Sequence, residues 1–181
     1  MCSLDNHDHG ASDAAYKQLF VRNHQWRTAT SASQRDFYEF RDTSGGQKPS
    51  ILWIGCSDSR VPDNVITGSS LGTIFTHRNI ANQFLEGDNN AAAVLEFAVT
   101  RLRVQHIVVA GHTYCGGVET SYNLAYPANR ASREVNPDFE VNDERNADEP
   151  MPQVVAWLQP LVSVALDPMW QPMAAAAPEP N

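Results

Sequence analysis

The sequence predicts an α/β domain with a parallel-sheet core and flanking helices, and three observations carry that prediction. Residues 51–55, 73–76 and 106–110 are short apolar runs of strand length. Between the second and third, residues 90–102 place Val94, Leu95, Phe97, Ala98 and Leu102 on one helical face, as a crossover between parallel strands requires. Cys56, His112 and Cys115 follow directly on the first and third runs, and in parallel sheets ligand sites gather beyond the carboxyl ends of the strands.

In chain order, residues 13–27 carry Ala14, Tyr16, Leu19, Phe20 and Trp26 at helical intervals. Ser33 followed by Phe37, Tyr38 and Phe40 repeats the pattern, so two N-terminal helices are expected. Gly45-Gly46 and Pro49 break the chain before the first strand, Ile51-Leu52-Trp53-Ile54-Gly55. Thr73-Ile74-Phe75-Thr76 is the second, and Asp88 is a ready N-cap for the helix after it. His106-Ile107-Val108-Val109-Ala110 reads as a third buried strand, and Gly116-Gly117 opens a helix toward Leu124. Residues 126–150 are acidic and rich in Asn and Pro without periodicity, an insertion or linker at the surface. Residues 154–166 suit a helix interrupted near Pro160, and residues 168–181, with four prolines, form a tail not expected to fold alone. The whole, residues 1–181, reads as a single domain with its core in 48–124.

Charge excludes several functions. Net charge is -8, the wrong sign for a surface that neutralises phosphates, so nucleic acid is not an expected partner. The charge is also local, because residues 134–149 hold seven acidic side chains against Arg145 alone. The chain begins with polar and acidic residues where a secretory signal would be basic and then apolar. Its longest apolar stretch, residues 154–166, is interrupted by Gln159 and Pro160 and is too short to span a bilayer. Three widely spaced cysteines make a poor disulfide framework, so the expectation is a cytoplasmic protein with reduced thiols and no membrane association.

Thiolate sulfur and imidazole nitrogen suit Zn²⁺, and two cysteines with one histidine leave a fourth tetrahedral position open, as catalytic zinc requires. Gly55, Gly111, Gly116 and Gly117 flank these residues and let backbone approach an ion or anion. The competing reading makes Cys56 and Cys115 small core residues and His112 a hydrogen-bonded core histidine. In Cys56-Ser57-Asp58-Ser59-Arg60, an Arg60 fork could hold the Asp58 carboxylate off the metal. Without it, Asp58 could become the fourth ligand. A surface ion pair beside a turn is the plainer alternative. Gly116-Gly117 at a helix start would aim free N–H groups at a negative oxygen.

The segments Cys56-Ser57-Asp58-Ser59-Arg60-Val61-Pro62 and His112-Thr113-Tyr114-Cys115-Gly116-Gly117 together resemble the β-class carbonic anhydrases. Leu52-Trp53-Ile54-Gly55, Ile66-Thr67-Gly68, His77-Arg78-Asn79 and Asn82 extend the resemblance across residues 48–120. It implies Zn²⁺ on Cys56, His112 and Cys115, an Asp58–Arg60 catalytic dyad, and reversible hydration of carbon dioxide to bicarbonate and a proton by a zinc-bound hydroxide. Gly116 N–H would steady the substrate oxygen, and His24 or His77, or buffer, would carry the proton. Asp58 would sit on the metal only in an inactive form. Trp53 and Arg78 resemble two members of a bicarbonate pocket found in one subgroup of the family. The resemblance also implies a homodimer or higher homo-oligomer. Family members continue into a further strand and a C-terminal helix, and the Pro- and Ala-rich ending reads as a truncated or divergent C-terminus. Two other functions fit the same residues: hydrolysis of carbonyl sulfide or carbon disulfide, and a zinc-binding but catalytically dead chain.

Overall fold

The computed structural model describes residues 9–33, 46–127 and 151–169. These divide between two compact units, one within Met1–Lys48 and one within Pro49–Asn181. Cys2, His7, the expected second N-terminal helix and nearly all of the acidic stretch and tail lie outside the described residues. In the first unit, helix α1 spans His9–Ser33, longer at both ends than its apolar periodicity suggested. Tyr16 and Phe20, one turn apart, meet edge to face with ring centroids 5.1 Å apart.

The second unit holds the sheet. Strands β1 (Ile51–Cys56), β2 (Ile74–Asn79) and β3 (His106–Ala110) are all parallel, in the order β2-β1-β3. The register sets Cys56 opposite Asn79, Gly55 opposite Arg78 and Ile54 opposite both His77 and Val109. As the central strand, β1 is the most buried. Leu52 and Ile54 pack with Ala98 against Phe75, Val94, Leu95 and Val104. Complete burial of a side chain like Leu52 contributes about 1.5–3 kcal/mol.

Helix α2 is one turn, Asp63–Ile66, anchored by its buried Asp63, which accepts from Thr76 Oγ1 at 2.7 Å. Helix α3, Asn89–Glu96, begins at Asp88, whose carboxylate accepts from the N–H groups of Asn90 and Ala91, as the N-cap reading expected. It then widens into a π-turn over Phe97–Leu102 and stops at Arg103, in the left-handed region at φ 55°. Helix α4 runs Gly116–Ala125 and α5 runs Pro152–Leu166.

Two expectations are corrected. β3 is not buried: Ile107 is 50% and Val109 61% exposed. It is an edge strand among the described residues, and α3 covers β1 rather than β3. Nor does Pro160 interrupt its helix. Pro160 and Ala156, whose carbonyl loses its partner, both lie on the exposed side of α5, while Leu158 and Val162 hold the other side in the core. Water can take the orphaned carbonyl, and apolar burial outweighs the lost hydrogen bond. The second strand also runs three residues further than its apolar run, through His77, Arg78 and Asn79, because β1 offers backbone partners that far.

Candidate metal centre

Cys56 ends the central strand and Cys115 caps the start of α4. Both are 6% exposed, and their sulfurs lie 3.8 Å apart. His112 stands in the turn after β3. Its Nδ1 lies 2.8 Å from Thr113 O, which can only accept, so Nδ1 carries the proton and Nε2 the lone pair. Nε2 is buried without a hydrogen-bond partner. One ligand atom from each residue falls within 4.8 Å of the others. An orphaned imidazole nitrogen facing two buried sulfurs is costly left alone, and the donor set fits a tetrahedral, borderline-soft metal ion with one open position.

The two thiols differ. At Cys56 burial pushes the thiol up, but the Asp58 N–H and the Ala81 N–H are among the groups that bring it below its ordinary value. At Cys115 burial prevails and neighbouring Cys56 adds to it, although the N–H dipoles of Val118 and Gly117 pull the other way, so this thiol is raised.

Asp58 and Arg60 form a bidentate pair, with Arg60 Nε at 2.9 Å from Oδ1 and Nη2 at 2.6 Å from Oδ2. The Arg60 N–H also donates to Oδ1 at 2.9 Å. Hydrogen bonds from Arg60 hold the Asp58 carboxyl well below the usual carboxylate range. Oδ2 lies 3.9 Å from His112 Nε2, which places the ionised carboxylate beside the candidate donor set. The same Arg60 Nη2 donates to Tyr114 O at 3.0 Å. Tyr114 occupies the left-handed region at φ 55°, which costs a non-glycine residue about 1–2 kcal/mol, and its carbonyl is thereby turned to the dyad. Nothing in the sequence singled out Tyr114. The available signal was a tight turn between two candidate ligands with no glycine at its centre.

Gly116 is the first residue of α4, and a Cβ there would meet nothing within 4 Å. Gly117 is different. A Cβ would lie 2.9 Å from Ala81 Cβ and 3.0 Å from Ile80 Cγ2, so the close approach of α4 to the 3-10 turn Ile80–Asn82 requires glycine. That turn contributes Ala81, itself at φ 61°, to a buried cluster with Cys56, Cys115 and Leu158. Asn79 and Gln83 brace it by two reciprocal hydrogen bonds, Gln83 N to Asn79 Oδ1 at 2.8 Å and Asn79 Nδ2 to Gln83 O at 2.6 Å. Helix α5 joins through Trp157 Nε1 on Ile80 O at 2.8 Å and Gln83 Nε2 on Trp157 O at 3.0 Å. The sequence assigned Asn79 and Gln83 no bracing role, because three of their four side-chain contacts end on backbone groups, which residue types do not identify.

Trp53 lies on the face of β1 shared with Gly55, its indole over that glycine, and Arg78 is opposite Gly55 in register. Arg78 points its guanidinium at the Cys56–Asp58 loop, with Nε 2.7 Å from Cys56 O and Nη2 2.5 Å from Asp58 O. His77 Nε2 is 3.2 Å from Asn79 Nδ2. His24 belongs to α1, in the other unit.

The carbonic anhydrase family model matches residues 51–159. Among curated proteins, the carbonic anhydrase of Emericella nidulans is 41% identical over 109 residues, 60% of this chain and 47% of that protein. The carbonic anhydrase of Candida albicans is 49% identical over 76 residues, 42% of this chain and 27% of that protein. The chain thus spans less than half the length of these curated relatives. Of solved structures, a β-carbonic anhydrase of Aspergillus fumigatus superposes with a TM-score of 0.69 at 31% identity, covering 91% of this chain and 65% of that one. A tetrameric β-carbonic anhydrase of Sordaria macrospora does so at 0.57 and 29% identity, covering 90% of this chain and 87% of that one.

Proposed function

The chain belongs to the β-class carbonic anhydrase family, and from that premise we propose that it catalyses the reversible hydration of carbon dioxide to bicarbonate and a proton, with Zn²⁺ held by Cys56, His112 and Cys115. The observation that carries this reading is the Asp58 carboxylate, clamped by Arg60 with Oδ2 3.9 Å from the unpartnered Nε2 of His112. When bound, Zn²⁺ supplies the acidity that makes water a competent nucleophile near neutral pH.

The chain's own groups orient the reaction. An ionised Asp58 only accepts hydrogen bonds, so it selects an attacking oxygen that still carries hydrogen and turns that oxygen's lone pair toward the carbon. Arg60 keeps Asp58 ionised and, through Tyr114 O, in place. The new C–O bond forms as one C=O pair moves onto oxygen, and the Gly116 N–H, free at the start of α4, would donate to that charge. The products are bicarbonate and one proton, which His24, His77 or buffer carries away.

The protein works as a homodimer or higher homo-oligomer, a reading supported by its likeness to a tetrameric relative and by the exposed Ile107 and Val109 on the β3 edge. It is assigned to the cytoplasm on its thiols, Cys56 and Cys115 being free with sulfurs 3.8 Å apart. No helix among the described residues is long and apolar enough to cross a membrane.

Stopped-flow hydration of carbon dioxide on protein of measured zinc content tests the proposal, with Cys115→Ala as control. Hydration that follows zinc content and disappears in the control is expected. One zinc per chain with no hydration above the control would refute it and leave the catalytically dead chain or a hydrolase of carbonyl sulfide or carbon disulfide.

A further inference from the structure

We propose that Arg78 is a positioning residue that sets where the Asp58 carboxylate stands relative to the metal centre. This rests on the functional reading above, and it extends to a residue that touches neither metal nor substrate.

Three consecutive residues leaving β1 are held by the last two of β2. Arg78 Nε donates to Cys56 O at 2.7 Å, Ser57 N donates to Asn79 O at 2.9 Å, and Arg78 Nη2 donates to Asp58 O at 2.5 Å. The middle contact continues the sheet ladder and needs no particular side chain. The outer two depend on one planar guanidinium, which fixes the spacing of two carbonyls because its donors cannot rotate independently. One of these carbonyls belongs to Cys56, a metal-ligand candidate, and the other to Asp58, whose carboxylate stands beside His112. Cys56 has a second anchor, since its strand pairing with Asn79 holds it in register. Besides Arg78, the backbone carbonyl of Asp58 accepts the turn bond from Val61 N at 3.3 Å, which lies within the same loop.

The anchorage is therefore asymmetric. Arg60 fixes the Asp58 side chain from two residues further along the same loop, whereas Arg78 holds the Asp58 backbone from the neighbouring strand. Arg60 reaches Tyr114 O outside the loop, and Arg78, beside the Ser57 N–Asn79 O bond, ties the Asp58 backbone to the sheet. Asn79 and Gln83 in turn lock the end of β2 that carries Arg78. With Nε and Nη2 committed to carbonyls, Arg78 acts here on the loop backbone rather than as a free cation. Loss of the guanidinium would let the Asp58 loop shift while Cys56, His112 and Cys115 stay together.

The test compares Arg78→Ala, Arg78→Lys and Thr76→Val in the full chain, loaded with Zn²⁺ for hydration assays and with Co²⁺, which accepts the same donors, for visible absorption. Thr76→Val breaks the bond to Asp63 on the same strand and is the control for general destabilisation. Both Arg78 variants should bind one metal per chain, lose about tenfold or more in kcat/KM, and show a changed cobalt absorption envelope. Lysine should fail to rescue, because one ammonium cannot replace two fixed donors. Thr76→Val should keep the parent spectrum and stay within about twofold in kcat/KM, the range expected when nothing at the site has moved. A parent-like cobalt spectrum with parent-like hydration in Arg78→Ala would overturn the assignment, as would equal changes in Thr76→Val at matched melting temperature. If Arg78→Ala does not fold, Arg78→Lys decides by the same readings. If the parent chain itself hydrates no carbon dioxide, the functional reading fails while the cobalt comparison still tests Arg78.

Discussion

Cys56 and Cys115, 59 positions apart in the chain, bring their sulfurs to 3.8 Å in a buried cluster that also contains Ala81 and Leu158. One sulfur ends the central strand and the other begins the helix after the neighbouring parallel strand, so their proximity follows from strand order. With His112 Nε2 unpartnered beside them, removing any of the three donors should abolish tight metal binding. Cys56→Ala, His112→Ala and Cys115→Ala should each fall well below one zinc per chain after dialysis against a mild chelator, measured by elemental analysis.

Asp58→Asn keeps the shape of the side chain but removes its charge and offers an amide that can donate as well as accept. Zinc content should stay at the parent level while kcat falls about 100-fold or more, the scale on which a group that orients proton transfer acts. Retained activity would show that the carboxylate 3.9 Å from His112 Nε2 is not the acceptor.

The Asp58–Arg60 pair should leave a mark on stability in acid. Arg60 lowers the folded-state pKa of Asp58 below its unfolded value of about 3.9, so the unfolded chain binds the proton more readily. Stability from the pair is then fully present above about pH 4 and is lost as pH falls further through the folded value. The difference in urea midpoint between the metal-free parent and Arg60→Ala should be present at pH 6 and shrink at pH 3. A gap that widened in acid would contradict the sign.

Gly117→Ala sets helix propensity against packing. Alanine would favour α4 by up to about 1 kcal/mol, but its Cβ would stand 2.9 Å from Ala81 Cβ, close to backbone that cannot swing away. Overpacking of this kind costs about 1–3 kcal/mol, so net destabilisation of about 1–2 kcal/mol is expected by thermal unfolding. Gly116→Ala, with open space at its Cβ, should be neutral to slightly stabilising.

Leu158 is fully buried against the cysteine cluster. Leu158→Ala should cost about 2–5 kcal/mol in unfolding experiments. It should also weaken zinc retention, because α5 ties the Ile80–Asn82 turn through Trp157.

Much of the site was legible in the residues. Cys56, His112 and Cys115 each follow an apolar strand, and that placement alone predicted their convergence at one end of a parallel sheet. Asp58 and Arg60, two apart, were readable as a pair because both ends of the contact lie in one loop. Asp88 as an N-cap and Gly116-Gly117 as a helix start were equally local, and the structure matches both.

What the sequence determined by itself was therefore the chemistry: which donors exist, that they follow strands, and that a carboxylate and a guanidinium stand beside them. Only the tertiary structure decided the geometry that makes them a site. Arg78 on the carbonyls of Cys56 and Asp58, Tyr114 turned into the left-handed region to meet Arg60, and Gly117 pressed on Ala81 all involve backbone atoms of residues distant in sequence. Every residue carries the same backbone groups, so side-chain pattern cannot say which will be used. The exposure of β3 and the passage of α5 through Pro160 have the same cause. Whether an apolar strand is covered, or a proline's orphaned carbonyl faces water, depends on what packs against it.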